Sequence, residues 1–391
     1  MKDPTLLPLP TPPDALRIGP LREGAFTSRL HSERVAAQLG RALGIAFGIC
    51  MLTGLYSHFL QHPAGWLDPP SRPVWLYRVS QGLHVTTGIA AVPLLLAKLF
   101  AVYPKLFSWP PAKNLRHAAA RGSLLLLVGG AVLQLATGVM NIFQWYAFGF
   151  FFTTVHYWSA WVTIGALVIH IGAQLAIAQR ALAPASLVDD PEPAGHGLSR
   201  RGFVTAAGVA SGAVVLATVG QTVSPLDRIS VLSPRRPHDG PQGLPVNKTA
   251  RSAGTLTVDP AAYRLVVEGR TRLELTLADL EAMPLHDVEL PITCVEGWSS
   301  GARWTGVRLR DVLALAGSDG HQPVRVESLE KRGRYRTSMT TSHHNRDALT
   351  LLALRIDDDP LHPDHGFPLR LIAPNRPGVL QTKWVTRLVV T

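Results

Sequence analysis

A cysteine at the end of an alternating segment is the first residue whose chemistry stands out. Between positions 288 and 294 every second side chain is apolar or a thiol, which predicts a strand with one buried face formed by Val288, Leu290, Ile292 and Cys294. A thiolate is a soft ligand that can hold a transition metal. A cysteine at a strand end is also commonly an inert buried thiol, so Cys294 alone leaves both interpretations open.

Histidines inside long uncharged segments form the second candidate group. An ionisable side chain within a bilayer is costly, so it needs a partner or a function. His84 and His156 lie five and six residues from the outer ends of their predicted helices, which gives both a depth of roughly 8–9 Å. Two imidazoles at one depth on facing helices can hold a haem iron from both sides. The alternative is that each is a polar histidine hydrogen-bonded inside the bundle.

A third histidine, His170, has the spacing for a second haem. It follows His156 by fourteen residues, which restores the same helix face about 21 Å further along the axis. Its available partners are His31 and His117, and both lie near or beyond the cytoplasmic edge. The sequence therefore predicts one haem b and leaves the second haem open.

The apolar segments that carry these histidines are long enough to cross a membrane. A hydrocarbon core of roughly 30 Å needs about 20 apolar residues in a helix. Five spans are predicted, in residues 42–60, 79–97, 122–179 (two spans that turn near 144–149) and 202–226. Five buried helices of this length in a soluble protein would be unusual.

Basic residues indicate the orientation of the spans. They concentrate before the first span, between the second and third, and between the fourth and fifth. The positive-inside rule then places the N-terminus in the cytoplasm and everything after Leu226 outside it. The segment Ser199–Phe203 resembles a twin-arginine export signal, here uncleaved. The alternative is an ordinary basic flank beside a span.

Composition agrees with a chain that lies partly in a membrane. Of its 391 residues 47% are hydrophobic and 17% are charged, which is too apolar for one ordinary soluble fold. A net charge of +11 could suit nucleic acid, but the basic residues flank apolar segments and form no stripe with aromatics. No nucleic-acid partner is therefore predicted. Two cysteines make a disulfide framework improbable.

The chain after the fifth span changes character. Its proline- and glycine-rich start predicts a linker, and from Tyr263 strand patterns begin. Thr276 with Asp279 forms a capping pair for a short helix, and Leu309–Ala316 predicts another. Further strands are predicted at Phe367–Ile372 and Trp384–Val390. These elements indicate a mixed α+β domain.

Several motifs of this domain resemble the sulfite oxidase superfamily. They are Cys-Val-Glu-Gly-Trp-Ser from Cys294, Trp-Thr-Gly from Trp304, Leu-Leu-Ala from Leu351, His-Gly-Phe-Pro-Leu-Arg from His365 and Lys-Trp from Lys383. The resemblance implies a molybdenum-molybdopterin cofactor, with Cys294 as the metal ligand and with pterin or phosphate contacts from Asn247, His365, Arg370 and Lys383. Residues 375–382 depart from the family's usual loop before the final Lys-Trp.

The spans resemble the cytochrome b subunits of formate dehydrogenases and hydrogenases. The resemblance covers about residues 34–180 and implies haem ligands at His84, His156 and His170. It departs in one respect, because those subunits supply an inner ligand from the first span, where residues 34–53 contain no histidine.

Together these features predict an all-α transmembrane bundle of four spans plus a fifth anchor helix, followed by a mixed α+β molybdopterin-binding domain. The predicted divisions are a cytoplasmic tail (1–33), the cytochrome b bundle (34–180), a cytoplasmic loop (181–201), the fifth span (202–226), a linker (227–254) and the oxidoreductase domain (255–391).

The predicted function is a monomeric membrane oxidoreductase that exchanges electrons between quinone and an extracytoplasmic substrate. Glu296 and Trp298 suit a neutral or bulky substrate better than a small dianion, so reduction of an S-oxide or N-oxide, free or protein-bound, is favoured. One alternative is a sulfite dehydrogenase, if Arg303 or Arg336 folds into the pocket. Another is a membrane cytochrome b with a non-catalytic binding domain.

Overall fold

A computed structural model describes residues 18–22, 24–63, 68–108, 114–183 and 198–391. The predicted tail lies outside the described residues over 1–17 and at 23, and the predicted cytoplasmic loop does so over 184–197. The chain divides into two compact units. The first contains residues up to Leu52 and His84–Leu216, and the second contains Thr53–Leu83 and Ala217–Thr391.

The N-terminal part is helical, as its long uncharged apolar segments predict. Its helices are α1 (Glu33–Gln61), α2 (Leu76–Val102), α3 (Leu115–Ile142), α4 (Phe152–Leu182) and α5 (Arg200–Thr218). By length and composition each of these five helices could cross a membrane. Helices α2 and α5 are each extended by a short 3-10 turn at their C-terminal ends. The prediction of five spans is confirmed, and the turn between α3 and α4 falls where it was expected.

Helix α5 ends eight residues before the predicted end of its span. Beyond Thr218 the chain tightens into short 3-10 turns at Val219–Gln221 and Ser224–Leu226. The amide of Gly220 donates to Ser230 Oγ over 2.7 Å, and the amide of Leu232 donates to the Ala217 carbonyl over 2.7 Å. These hydrogen bonds fold the chain back against the end of the helix and terminate it.

The C-terminal part is a mixed α+β domain, which confirms the predicted fold class. Its short helices are α6 (Ala250–Ala253), α7 (Leu277–Ala282), α8 (Leu309–Leu315) and α9 (Ser342–Arg346). Its strands are β1 (Leu265–Glu268), β2 (Arg272–Leu275), β3 (His286–Thr293), β4 (Ser299–Arg308), β5 (Val324–Ser328), β6 (Thr337–Thr340), β7 (Leu351–Ile356), β8 (Asp359–Pro360), β9 (Arg370–Ile372) and β10 (Val385–Val390).

The strands form two five-stranded sheets. The first has the order β2-β1-β10-β5-β6, in which β1 and β10 are parallel and the other neighbours antiparallel. The second has the order β3-β4-β7-β8, with β9 also paired to β7. The second sheet positions the candidate site, because Cys294 follows β3 and Arg370 begins β9.

Local sequence explains the elements that matter for the site. Strand β3 buries alternate residues, and Val288, Leu290, Ile292 and Cys294 all enter one apolar cluster with Trp304, as period-two alternation predicts. Helix α7 begins with a complete capping box between Thr276 and Asp279.

The segment that composition marks as a linker also packs into the domain. Leu244 is buried in the cluster that contains Cys294, and Ala250 and Ala253 pack against Trp384. Thr249 caps α6 by accepting a hydrogen bond from the Ser252 amide. A few buried apolar residues are enough to fix this proline- and glycine-rich segment to the domain. The average composition of the segment does not reveal these residues.

Candidate functional site

The turn between β3 and β4 presents the Cys294 side chain. The Cys294 amide donates to the Trp298 carbonyl over 2.9 Å, and the Gly297 amide donates to the Cys294 carbonyl over 3.0 Å. Gly297 has a φ of 96°, a conformation that side chains other than glycine's rarely adopt. The glycine therefore permits the tight turn that fixes the thiol at the strand end.

The thiol lies in a buried, partly acidic environment. Cys294 is only 1% exposed. The buried Glu296 carboxylate accepts a hydrogen bond from Trp298 Nε1 over 3.1 Å. Burial, and next the negative charge of Glu296, raise the pKa of the Cys294 thiol well above its ordinary value. This environment therefore favours the neutral thiol, and a bound metal would favour the thiolate.

Two buried cations lie close to the thiol. Arg370 is 3% exposed, and its Nη1 donates to the His365 carbonyl over 3.1 Å. Lys383 Nζ donates to the carbonyls of Lys248 and Asp364, over 2.9 and 2.8 Å. Burial lowers the pKa of Arg370 to about 9 and that of Lys383 well below its ordinary value. Both cations also interact electrostatically with Cys294.

Aromatic rings and one glycine hold these cations in place. The Arg370 guanidinium lies 5.4 Å from the centre of the Trp304 ring, and Lys383 Nζ lies 5.4 Å from that of Trp384. Gly366 has a φ of 112°, and a β-carbon there would lie 3.0 Å from Lys383 Cβ. The close approach of residues 366 and 383 therefore requires glycine.

A small cleft collects most of the site residues predicted from the sequence. Its empty volume is about 230 Å³ including its open mouth, and it is lined by Pro245, Asn247, Ile292, Cys294, Trp298, Arg370, Gly378 and Lys383. His365 lies beside this group: its carbonyl binds Arg370, and its Nε2 lies 2.6 Å from the Pro241 carbonyl. The fold thus brings together residues from four distant parts of the domain.

Comparison with known proteins identifies this part of the chain. Residues 252–391 match the family model described as oxidoreductase molybdopterin binding domain. These residues form a molybdopterin-binding domain. This chain is 32% identical over 164 residues to mitochondrial sulfite oxidase of Drosophila melanogaster. It is 35% identical over 162 residues to mitochondrial sulfite oxidase of Mus musculus, and each match covers 34% of this chain.

A further relative has a different name. The chain is 34% identical over 138 residues to the protein-methionine-sulfoxide reductase subunit YedZ1 of Azospira oryzae, again over 34% of its length. The matches cover 28% of the fly enzyme, 30% of the mouse enzyme and 51% of the Azospira protein. The chain therefore spans about half or less of the length of these relatives.

The residues of the molybdopterin domain fit an anionic, phosphate-bearing cofactor. Arg370 Nε is buried without a hydrogen-bond partner. Arg370 is buried and Lys383 is half-buried, and within the described residues neither makes a direct ion pair with a carboxylate, although Asp364 and Glu330 act on Lys383 electrostatically. Cations with little solvent and no carboxylate in contact are unfavourable, so this arrangement favours an anionic ligand next to the thiol.

Sequence reasoning missed residues in the loop before Lys383. Arg376 is buried, its Nε donates to the Leu380 carbonyl over 3.0 Å, and its Nη2 donates to the Met339 carbonyl over 2.7 Å. Asn375 has a φ of 50° and accepts from the Tyr77 amide over 2.8 Å. The segment Asn-Arg-Pro-Gly was the available signal, because it places two polar residues and a turn inside an otherwise apolar region.

The histidine pair of the N-terminal unit has a geometry of its own. The rings of His84 and His156 face each other with centroids 6.1 Å apart and an interplanar angle of 70°. His84 Nδ1 lies 3.0 Å from the Cys50 carbonyl, and His156 Nδ1 lies 2.9 Å from Thr137 Oγ1. These contacts fix the orientation of both rings through Nδ1.

His170 is not joined to this pair. His31, one of its two expected partners, packs against Phe26, Phe100 and Tyr103. In the described part of the chain no ring contact connects His31 with His170. The prediction of a second haem at His170 therefore stays a prediction.

We expect the molybdopterin domain to lose stability as the pH falls from 7 to 5. Burial, and next the charge of Arg370, lower the pKa of His365 to about 4, and burial lowers that of His344 to about 3. Unfolded histidines titrate near 6.5, so below that pH the unfolded chain binds protons that the folded chain does not. The free energy of unfolding should fall by about 4 kcal/mol over this range for the two residues together.

Denaturant unfolding of the full chain in detergent at several pH values measures this effect. The matched variant is His365→Gln, which keeps a donor for the Pro241 carbonyl and cannot titrate. Between pH 7 and 5 its free energy of unfolding should fall by about 2 kcal/mol less than that of the wild type, whatever its stability at pH 7. Equal pH dependence in the two proteins would contradict the assignment of a buried neutral His365.

Proposed function

We propose that the protein is a membrane-bound molybdenum-cofactor oxidoreductase that exchanges electrons between quinone and an extracytoplasmic substrate through haem b. The observation that carries the proposal is the buried Cys294 thiol in one cleft with two desolvated cations, Arg370 and Lys383. A domain with only a structural or binding role would have no reason to place two desolvated cations there.

In this proposal each residue of the cleft has a role in holding the cofactor. Cys294 binds molybdenum as the thiolate, and Arg370 and Lys383 neutralise the pterin phosphate. Asn247 lines the cleft and can hydrogen-bond the pterin, while His365 fixes Arg370 through its carbonyl. Bound molybdenum would supply two-electron oxygen-atom chemistry at this position.

His84 and His156 are the proposed ligands of haem b. The ring centroids of the two residues lie 6.1 Å apart, so both side chains would be close enough to hold one haem iron. A haem held there would relay single electrons, and quinone in the bilayer is the proposed exchange partner.

The proposed topology follows from the basic residues. Arg29 precedes α1, Arg34 lies in its first turn, and Arg200 and Arg201 begin α5. With these on the cytoplasmic side, five spans place the molybdopterin domain outside the cytoplasm. Arg200 and Arg201 with Phe203 would then serve as the twin-arginine signal.

Reduction of an S-oxide or N-oxide is the favoured reaction. Glu296 is buried beside Cys294, where a second negative charge would be repelled. Arg303, which could have attracted sulfite, instead makes a two-point ion pair with Asp358, and Arg336 is exposed. The Azospira relative, whose name refers to methionine-sulfoxide reduction, supports the same direction. The sulfite oxidase relatives favour the alternative, sulfite oxidation.

Two measurements on the purified protein test the proposal. Metal and haem analysis should give one molybdenum and at least one haem b per chain, and absence of molybdenum would favour a cytochrome with a binding domain. Methionine sulfoxide should then reoxidise the haem of the dithionite-reduced protein, whereas methionine, as a control, should not. Haem reduction by sulfite without reoxidation by any sulfoxide would reverse the direction.

A further inference from the structure

Two side chains from outside its own sheet hold the cysteine turn, which is the segment Cys294–Trp298 between β3 and β4. Gln81, near the start of α2, donates from Nε2 to the Val295 carbonyl over 3.2 Å. Thr222, just after α5, donates from Oγ1 to the Gly297 carbonyl. Both donors belong to the same compact unit as the molybdopterin domain. The carbonyls that they bind lie on either side of Glu296.

Both donors are buried, since Gln81 and Thr222 are each 4% exposed. Gly82 follows Gln81, and a β-carbon at this position would be 2.9 Å from Thr222 Cγ2. A larger residue at position 82 would have to displace Thr222, so the glycine lets Thr222 stay within reach of the turn.

We propose that Gln81 and Thr222 are positioning residues that fix the orientation of the Cys294 thiolate toward molybdenum. This inference rests on the function proposed above. The three-residue loop between Cys294 and Trp298 is closed by two backbone hydrogen bonds of its own, and neither of these two bonds uses the carbonyl of residue 295 or 297. The two side-chain donors hold the carbonyls of residues 295 and 297, which fixes the peptide planes that carry both Cys294 and Glu296.

Four variants of the full-length holoprotein test the inference. Gln81→Leu removes the amide donor at similar volume, and Thr222→Val removes only the hydroxyl. Thr222→Ser restores the hydroxyl, and Gln322→Leu is the control, because Gln322 is exposed, accepts a hydrogen bond from Ser318 and does not line the cleft. The readouts are molybdenum and haem content, the Mo(V) paramagnetic resonance spectrum, and kcat and KM for methionine sulfoxide.

Gln81→Leu and Thr222→Val should retain both cofactors but alter the Mo(V) spectrum and lower kcat about fivefold to tenfold, with KM unchanged. Thr222→Ser and Gln322→Leu should match the wild type. A wild-type spectrum and kcat in Thr222→Val, an isosteric variant that should fold, would overturn the positioning role. Absence of molybdenum from the wild type would instead overturn the proposed function itself.

Discussion

Cys294→Ser is expected to abolish molybdenum-dependent turnover, with a loss of at least about 1,000-fold, while the haem spectrum stays unchanged. A serine hydroxyl is a harder and less acidic ligand than a thiol, and it cannot replace a soft thiolate on a transition metal. The substitution changes one atom of a side chain that is already fixed by the turn, so the fold should survive. Turnover and metal content of the purified variant measure the effect.

The chain provides a matched control for this experiment. Cys50 is the only other cysteine, and its thiol contacts Thr87 Oγ1 at 3.1 Å in the N-terminal unit. Cys50→Ser removes that thiol but keeps the backbone carbonyl beside His84, so it should retain its molybdenum. Full turnover by Cys294→Ser, or equal loss of metal in both variants, would exclude Cys294 as the specific ligand.

The second large effect is expected in the histidine pair. His84→Ala or His156→Ala should remove a low-spin haem signal completely, because each deletes one of two axial ligands. His170→Ala should remove at most a second haem, since no described contact joins His170 to the pair. Reduced-minus-oxidised difference spectra with a haem-to-protein count distinguish these outcomes.

Molybdenum content serves as the internal control for the histidine variants. The molybdenum and haem ligands lie in different units of the chain, so each histidine variant should keep its full molybdenum. An unchanged haem spectrum in both His84→Ala and His156→Ala would refute the pairing of the two rings around iron.

Much of the fold followed from patterns that act over short distances in sequence. Alternation from Val288 to Cys294 predicted the buried face of β3, and the Thr276–Asp279 pair predicted the start of α7. Both depend only on backbone geometry and neighbouring side chains. The uncharged segments predicted the membrane helices for the same reason, since length and apolarity are local properties.

Other parts of the site could not be predicted in this way. Gln81 and Thr222 carry no motif, and each acts through a hydrogen bond to a backbone carbonyl at least 75 residues away. A backbone carbonyl has no sequence signature, so such a contact is visible only once the chain is folded. Arg376 was missed for a related reason, because its two acceptors are also backbone carbonyls.

The contacts of Asn375 bear on when residues 375–382, the loop before Lys383, can fold. Its side chain meets Tyr56, Pro70 and Tyr77, which are separated from it by 319, 305 and 298 positions in the chain. Contacts between such distant residues form slowly, because a very long segment must be closed before they can contribute. The segment before Lys383 must therefore reach its native conformation late in folding, after the ends of the first two helices and the body of the domain exist.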